Sequence, residues 1–299
     1  WTAVWDTARS LPGYLSLSMV HDRGSGLAAP YGALNMCSMC AWGLGYFGMP
    51  HILLRFMAIR DEKEVKTSRR IASVWVTASM VVAILIGIIG YSVSVAGKIP
   101  VFTSSSQSET VVIRLAGFLG QYGPLASVVA GVVLAGILAS TMSTADSQLL
   151  TAASGVSQNL VQDFFKVELS PKASMAAARL TVAGIALVSL ALAWNPDSSV
   201  FNIVSFAWAG FGASFGPVML AALFWKRSNF YGALAGMVSG GDMVVVWKYL
   251  VRPLGGAWNI YELLPAFLVA CGAIVAVSLA TAAPPQEVVK EFESVGDGK

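Results

Sequence analysis

Residues 124–159 read PLASVVAGVVLAGILASTMSTADSQLLTAASGVSQN, in which an apolar run, Pro124–Leu138, continues into a segment rich in hydroxyl side chains. Four of these residues share one face of a helix because they recur at i, i+3, i+4 and i+7: Ser140, Ser143, Thr144 and Ser147. Neutral oxygens at this spacing suit a hard, weakly held cation such as Na⁺. Small hydroxyl residues also let two helices approach closely and hydrogen-bond across an interface. Taken alone, the stripe favours helix packing over an ion site.

The overall composition identifies the class of protein. Hydrophobic residues make up 56% of the 299 residues and charged residues only 12%, whereas a soluble domain has roughly 25% charged residues. A helix needs about 20 apolar residues to cross the hydrocarbon core of a bilayer. Seven stretches are long enough: Tyr31–Met57, Ile71–Ala96, Tyr122–Thr151, Ala173–Trp194, Val200–Trp225, Tyr231–Val251 and Tyr261–Ala282. They are too long and too uniformly apolar for barrel strands, so the sequence predicts an all-α polytopic membrane protein with seven transmembrane helices.

The distribution of Lys and Arg predicts the orientation. The loop Arg55–Arg70 holds six of them, and the connections that lie on the same side, together with the tail after Pro285, bring the total to thirteen. The other side has six, including Arg23 and Lys248. The positive-inside rule therefore places the C-terminus in the cytoplasm. The net charge of +3 follows from this topology, and nothing in the sequence resembles a nucleic-acid-binding patch.

The two ends of the chain differ in character. The sequence begins with Trp1, without an initiator Met or a signal peptide, and we expect it to be incomplete at this end. Residues 1–30 are predicted to form an outward-facing loop with a short interfacial helix. Pro284 and Pro285 are expected to end the last membrane helix, and residues 284–299 then form a cytoplasmic tail and a natural terminus.

The first span contains an unusual concentration of helix-breaking residues. Residues 41–51 read AWGLGYFGMPH, with glycines at 43, 45 and 48 followed by Pro50. In a helix interior glycine costs about 1 kcal/mol and proline about 3 kcal/mol, so this pattern predicts an unwound segment. Within a membrane such a segment is tolerated only against protein or a cavity, and interrupted spans of this kind form substrate sites in secondary transporters. A Pro/Gly kink with consequences only for packing is the alternative.

Two further glycine-rich stretches have simpler interpretations. Gly210–Pro217 (GFGASFGP) could be a second interruption, but a kink is the safer interpretation. Gly232, Gly236 and Gly240 form a repeated G-x-x-x-G ridge that predicts close helix packing.

No feature of the sequence indicates an enzyme. Gly43–Gly48 matches the dinucleotide pattern G-x-G-x-x-G, but it lies within a membrane span and lacks the βαβ context that the motif requires. Cys37 and Cys40 form a single C-x-x-C pair, for which two small helix residues one turn apart is a better account than zinc or redox chemistry. There is no nucleophile–base pair and no cluster of metal ligands.

Three segments together carry a resemblance to a known family. They are Trp42–His51 with Arg55 after it, then Ala135–Gln148, and then Trp208–Pro217. In this order they resemble the sodium:solute symporter family, and within it the bacterial proline-transporting branch. The resemblance extends over nearly the whole chain from about residue 31.

The resemblance implies a fold of two inverted repeats of five helices each, with additional helices outside them. Residues 31–225 would be the second repeat, and residues 226–283 two additional C-terminal transmembrane helices. The first repeat would be absent, so the missing N-terminal helices of the same protein are an expected partner, as are the lipid bilayer and a small-molecule solute. The implied location is the inner (plasma) membrane.

The family's site residues can be carried over to matching positions. By this resemblance Trp42 and Tyr46 contact the solute, in the unwound segment that contains Gly43 and Gly45. The hydroxyls of Ser143 and Thr144, with the backbone carbonyl of Ser140, would bind Na⁺ as coupling ion. Asp146 departs from the proline-transporting pattern; an acid near a membrane helix is a functional candidate, although pairing with a cytoplasmic Arg or reaching the interface is the simpler role.

The function that this resemblance implies is Na⁺-coupled symport of a small organic solute, L-proline foremost, by alternating access. Pantothenate, another amino acid or a sugar are alternative solutes within the same family. A membrane sensor domain of symporter type is a third possibility, against which the short tail without a soluble domain argues.

Overall fold

The computed structural model describes residues 2–22, 25–194 and 199–296, so Arg23, one of the charges used for the orientation, lies outside the described residues. The described part is helical apart from one antiparallel hairpin, Met19–His21 (β1) with Ala28–Pro30 (β2). Its twelve α-helices are α1 (Thr2–Arg9), α2 (Ala33–Ala41), α3 (Pro50–Met57), α4 (Glu62–Val95), α5 (Ser105–Ser108), α6 (Val111–Leu119), α7 (Pro124–Ser154), α8 (Pro171–Leu192), α9 (Val200–Phe224), α10 (Phe230–Val246), α11 (Leu263–Ala280) and α12 (Gln286–Gly296).

Among the described residues, six helices are long and apolar enough to cross a membrane: Lys63–Val95, Pro124–Phe164, Pro171–Leu192, Val200–Phe224, Phe230–Leu254 and Leu263–Ala280. They correspond to six of the seven predicted spans, which confirms an all-α polytopic membrane protein. Two of these spans continue into π-helical turns, Gly155–Phe164 after α7 and Trp247–Val251 after α10.

The seventh predicted span, Tyr31–Met57, is not a continuous helix. It is divided into α2, a 3₁₀ helix over Trp42–Gly48, and α3. Met49 between the last two is extended, with φ −81° and ψ 112°. Pro50 then begins α3 at its first turn, where its missing N–H costs nothing. By contrast, α9 runs unbroken through Gly210–Pro217, so that stretch is not a second interruption.

The structure separates into two compact units. The first contains the described residues within Trp1–Leu11 and Ile59–Val200. In it α1 packs along α4, where the hydroxyls of Ser92 and Thr7 meet at 3.5 Å. Helix α7 packs against α6 and α8, and Gln162 of the π-helical turn donates a hydrogen bond to Ser174 of α8.

The second unit contains the described residues within Pro12–Ala58 and Phe201–Lys299. Its core lies between α9, α10, α11 and the interrupted seventh span, Tyr31–Met57, which is the broken span. Helices α10 and α11 pack along the ridge formed by Gly232, Gly236 and Gly240. A Cβ at Gly236 would overlap the Ile274 side chain of α11, and one at Gly240 would overlap the Ala213 carbonyl of α9. The predicted role of this ridge in close helix packing is confirmed.

The connection between α9 and α10 caps two helix ends at once. Asn229 accepts a hydrogen bond from the Gly232 N–H at the start of α10, and its amide donates to the Ala282 carbonyl beyond the end of α11. Arg227 donates to the Thr281 carbonyl, 2.8 Å away. A cation and an amide at the end of α11 thus satisfy carbonyl groups that have no partner within the helix.

We predict that Gly240→Ala destabilises the folded protein, because its new methyl group meets a backbone carbonyl that cannot rotate away. The expected loss is about 1–3 kcal/mol, the usual cost of overpacking. Thermal unfolding of the purified protein in detergent measures it. Gly272→Ala on α11 is the matched control, since its Cβ meets nothing within 4 Å. Equal melting temperatures for the two variants would contradict the proposed packing.

Candidate functional site

The broken span has an unusual backbone. Trp42–Gly48 winds as seven residues of 3₁₀ helix, whereas 3₁₀ runs longer than about four residues are uncommon and mark hinges or strained functional segments. The span is interrupted at the expected residues, but the predicted unwound segment is wound as a 3₁₀ helix and is extended only at Met49.

Trp208 of α9 completes this segment. Its indole Nε1 donates a hydrogen bond of 3.0 Å to the Trp42 carbonyl. A Cβ at Gly45 would overlap the same indole ring, so only glycine admits Trp208 at this distance. A Cβ at Gly48 would likewise overlap the Phe211 carbonyl of α9. Two of the glycines thus bring the segment directly against α9.

Aromatic rings surround the segment. The Trp42 ring lies nearly parallel to three others at centroid distances of 5.4–5.7 Å, namely Phe201, Trp208 and Tyr261. Tyr46 meets Trp208 edge-on at 4.8 Å. Trp42 is half-buried, whereas Tyr46 is 51% exposed. The four residues predicted for the solute, Trp42, Gly43, Gly45 and Tyr46, lie together in this segment of the second unit.

The residues predicted for the ion, Ser140, Ser143 and Thr144, lie on α7 in the first unit, and all three are exposed. The Thr144 hydroxyl donates to the Ser140 carbonyl at 3.3 Å, and the Ser147 hydroxyl donates to the Ser143 carbonyl at 3.0 Å. Such bonds to the preceding turn are usual for Ser and Thr within helices. Asp146 is also exposed on α7.

Sequence reasoning assigned no role to Trp208 or Tyr261. Trp208 falls within a stretch that carries the family resemblance, and Tyr261 begins the last predicted span. Neither position has a periodicity or spacing that points to the broken span. Their contacts with Trp42 are more than 150 positions away along the chain, and only the tertiary structure brings them together.

Comparison with known proteins decides the family. A sequence model of the sodium:solute symporter family matches residues 18–240, which include the broken span, α7 and α9. The chain belongs to the sodium:solute symporter family. No solved structure matches it.

Several curated relatives cover most of the chain. The high-affinity proline transporter of Bacillus subtilis (strain 168) is 39% identical over 268 residues, which are 88% of this chain and 53% of the relative. The osmoregulated proline transporter of the same strain is 38% identical over 259 residues, 87% of this chain and 50% of the relative. The sodium/proline symporter of Haemophilus influenzae is 39% identical over 260 residues, 87% of this chain and 51% of the relative. The chain thus spans about half the length of the curated relatives that it matches.

We predict that Gly45→Ala is far more damaging than Gly43→Ala, although both glycines lie in the same turn. The first methyl group would occupy the position of the Trp208 indole, whereas the second meets nothing within 4 Å. Displacing Trp208 also removes the hydrogen bond to the Trp42 carbonyl. We expect Gly45→Ala to lower the free energy of unfolding by about 1–3 kcal/mol and so to lower the melting temperature. Gly43→Ala should leave the melting temperature nearly unchanged.

Proposed function

We propose that this chain is part of a Na⁺-coupled symporter that takes up a small organic solute, L-proline in particular, by alternating access. The observation that carries the proposal is the 3₁₀ segment Trp42–Gly48 inside an otherwise apolar span. The aromatic rings of Trp208 and Tyr261 pack against this segment. Its support from the comparisons is the similarity to proteins named as proline transporters over 87–88% of this chain.

The chemistry of the segment matches that of the solute. Proline offers a carboxylate, a secondary ammonium and an apolar ring. Gly43 and Gly45 lie in the 3₁₀ segment that leads to the N-terminus of α3, and the positive end of a helix attracts a carboxylate. The exposed ring of Tyr46 and the half-buried ring of Trp42 offer apolar faces to the pyrrolidine and π-faces to the ammonium.

The ion in this proposal is Na⁺, bound by the hydroxyls of Ser143 and Thr144 and the carbonyl of Ser140. All three ligands are neutral oxygens, which suit a hard monovalent cation and hold it weakly. Weak binding suits a coupling ion, because the ion must dissociate again on the other side of the membrane. The Thr144 hydroxyl and the Ser140 carbonyl lie on the same face of α7, where they are hydrogen-bonded to each other at 3.3 Å.

We further propose that N-terminal helices of the same protein complete the transporter. At most 6% of the most apolar stretch of each of the helices α4, α7 and α8 is buried. The hydroxyl stripe of α7 is also exposed. A polar stripe on a membrane helix is stable only against protein or a water-filled cavity. In this scheme residues 31–225 are the second inverted repeat and residues 226–283 add two helices outside it, which agrees with a chain that spans about half of its relatives.

The proposed location is the inner (plasma) membrane. Residues 1–30 would face outward and residues 284–299 the cytoplasm, since thirteen of the nineteen Lys and Arg then lie on the cytoplasmic side.

The ion assignment predicts a selective change in Na⁺ dependence. In the full-length protein Thr144→Ala or Ser143→Ala removes a hydroxyl ligand that the methyl group cannot replace. A lost interaction with a charged group costs about 1.5–3 kcal/mol, so we expect the Na⁺ concentration for half-maximal proline uptake to rise roughly tenfold or more. The measurement is uptake at matched amounts of protein in the membrane.

Ser147→Ala, one turn further along α7, is the control and should change the Na⁺ dependence much less. If Thr144→Ala and Ser143→Ala both keep a normal Na⁺ dependence, the hydroxyl stripe serves helix packing alone.

The solute assignment predicts changes in apparent proline affinity. Trp42→Ala and Tyr46→Ala each remove ring packing and cation–π attraction worth about 1–2 kcal/mol, which is roughly five- to thirty-fold in affinity. Phe47→Leu should be tolerated, because Phe47 points about 120° away from Tyr46 in the 3₁₀ geometry of this segment. Uptake by the full-length variants is titrated with proline and, separately, with pantothenate.

Normal affinity in the Trp42 and Tyr46 variants together with a loss in Phe47→Leu would show that the wrong face was assigned to the solute. Uptake of pantothenate but not of proline by the unmodified protein would overturn the proline assignment.

A further inference from the structure

The connection between α10 and α11 is built around a buried acid. Glu262 is only 1% exposed, and one of its oxygens accepts a hydrogen bond of 2.8 Å from Arg252 Nη1. Arg252 Nε also donates to the Asn259 side chain, 3.1 Å away. A buried carboxylate is tolerated only when it is paired and hydrogen-bonded. These bonds therefore fix the conformation of the connection as far as Tyr261, the residue before Glu262.

That residue, Tyr261, has three attachments to the broken span and to α9. Its N–H donates to the Ser38 hydroxyl of α2 at 3.1 Å, and Ser38 lies one turn before Trp42. Its hydroxyl donates to the Ser205 carbonyl of α9 at 2.6 Å. Its ring is stacked on the Trp42 ring at 5.6 Å with an interplanar angle of 18°.

The residues around Tyr261 leave it little freedom. Tyr261 is 7% exposed, and Leu263 two residues later is fully buried. A Cβ at Gly212 of α9 would come within 2.9 Å of the Leu263 side chain, so the start of α11 is packed closely against α9. The backbone on both sides of Tyr261 is thus held, and its ring has one position against Trp42.

We propose that Tyr261 is a positioning residue for the solute site: it fixes the Trp42 ring, and the ion pair of Arg252 with the buried Glu262 fixes Tyr261. This inference rests on the proposed function of Trp42. It gives α10 and α11 a part in solute recognition, although the family resemblance assigns them to the helices outside the repeats. Tyr261 acts through Trp42 and needs no contact of its own with the solute.

The test measures proline uptake by the full-length protein, with apparent affinity, maximal rate and Na⁺ dependence determined separately. Tyr261→Leu removes both the ring and the hydroxyl, and we expect it to raise the proline concentration for half-maximal uptake about tenfold. Tyr261→Phe loses only the bond to Ser205, and Glu262→Gln removes the charge opposite Arg252. Each should give about a threefold rise, with smaller changes in maximal rate and in Na⁺ dependence.

Tyr249→Phe is the control, because Tyr249 lies in the same connection but is 60% exposed and does not contact Trp42. It should leave the proline affinity unchanged.

A double-mutant cycle separates positioning from a general loss of structure. If Tyr261 acts through Trp42, Tyr261→Leu should change the apparent affinity less than about twofold once Trp42 is already Ala or Phe, because coupled residues are not additive. Two results would overturn the inference. One is an equal effect of Tyr261→Leu on apparent affinity whether Trp42 is retained or replaced, and the other is no effect of Tyr261→Leu in the protein that retains Trp42.

A second measurement needs no transported solute. Ser38 is buried, so a thiol at this position in Ser38→Cys should react slowly with a maleimide when Cys37, Cys40 and Cys271 are replaced by Ser. Tyr261→Leu leaves a gap beside α2 and should raise the labelling rate several-fold, whereas Tyr249→Phe should not. If labelling responds but the unmodified protein ignores proline, the proposed solute is wrong and the positioning role stands. Normal proline uptake with unchanged labelling and affinity would mean that Tyr261 positions nothing.

Discussion

The hydrogen bond from the Trp208 indole to the Trp42 carbonyl meets a demand that a broken membrane helix creates. A regular α-helix satisfies its own backbone, whereas a change to a 3₁₀ helix and then to an extended residue disturbs that pairing, and a backbone group left unpaired in an apolar environment costs several kcal/mol. Here α9 supplies a partner from outside the segment. For the indole to reach this carbonyl, the chain must have no side chain at Gly45, and the backbone of α9 must lie against Gly48. That requirement brings α9 directly against the broken span.

Several parts of this arrangement could be predicted from the sequence because their cause is local. The apolar lengths of α4 and of α7–α11 are set by the bilayer, and composition alone reveals them. The interruption at Trp42–Gly48 follows from the intrinsic cost of glycine and proline in helices. The ridge of Gly232, Gly236 and Gly240 was interpretable for the same reason, since small residues at this period have little purpose other than close approach.

The remainder depends on contacts distant in sequence. Pro217 lies within α9 without interrupting it, so intrinsic propensity misleads where tertiary packing supports the helix. The tail beyond Pro285 forms α12, and its Glu293 lies 3.3 Å from Lys226 at the end of α9. No local pattern marks Trp208 or Tyr261 as neighbours of Trp42. The spacing of hydroxyl residues on α7 indicates which of them share a face. It does not indicate whether that face binds an ion or packs against another helix, because both depend on residues elsewhere in the sequence.

In the proposed symporter, the direct contact between the glycines of the broken span and α9 has a consequence for how solute preference can change over evolution. Where backbone lies on backbone, at Gly48 and Gly212, no side chain is available to alter by small steps, and almost any substitution would push the helices apart. Substitutions are accommodated more easily in the layer behind, at positions such as Phe201 and Tyr261, whose rings are stacked on the Trp42 ring. Members of such a family could diverge in the molecules they accept while the residues that face those molecules stay the same.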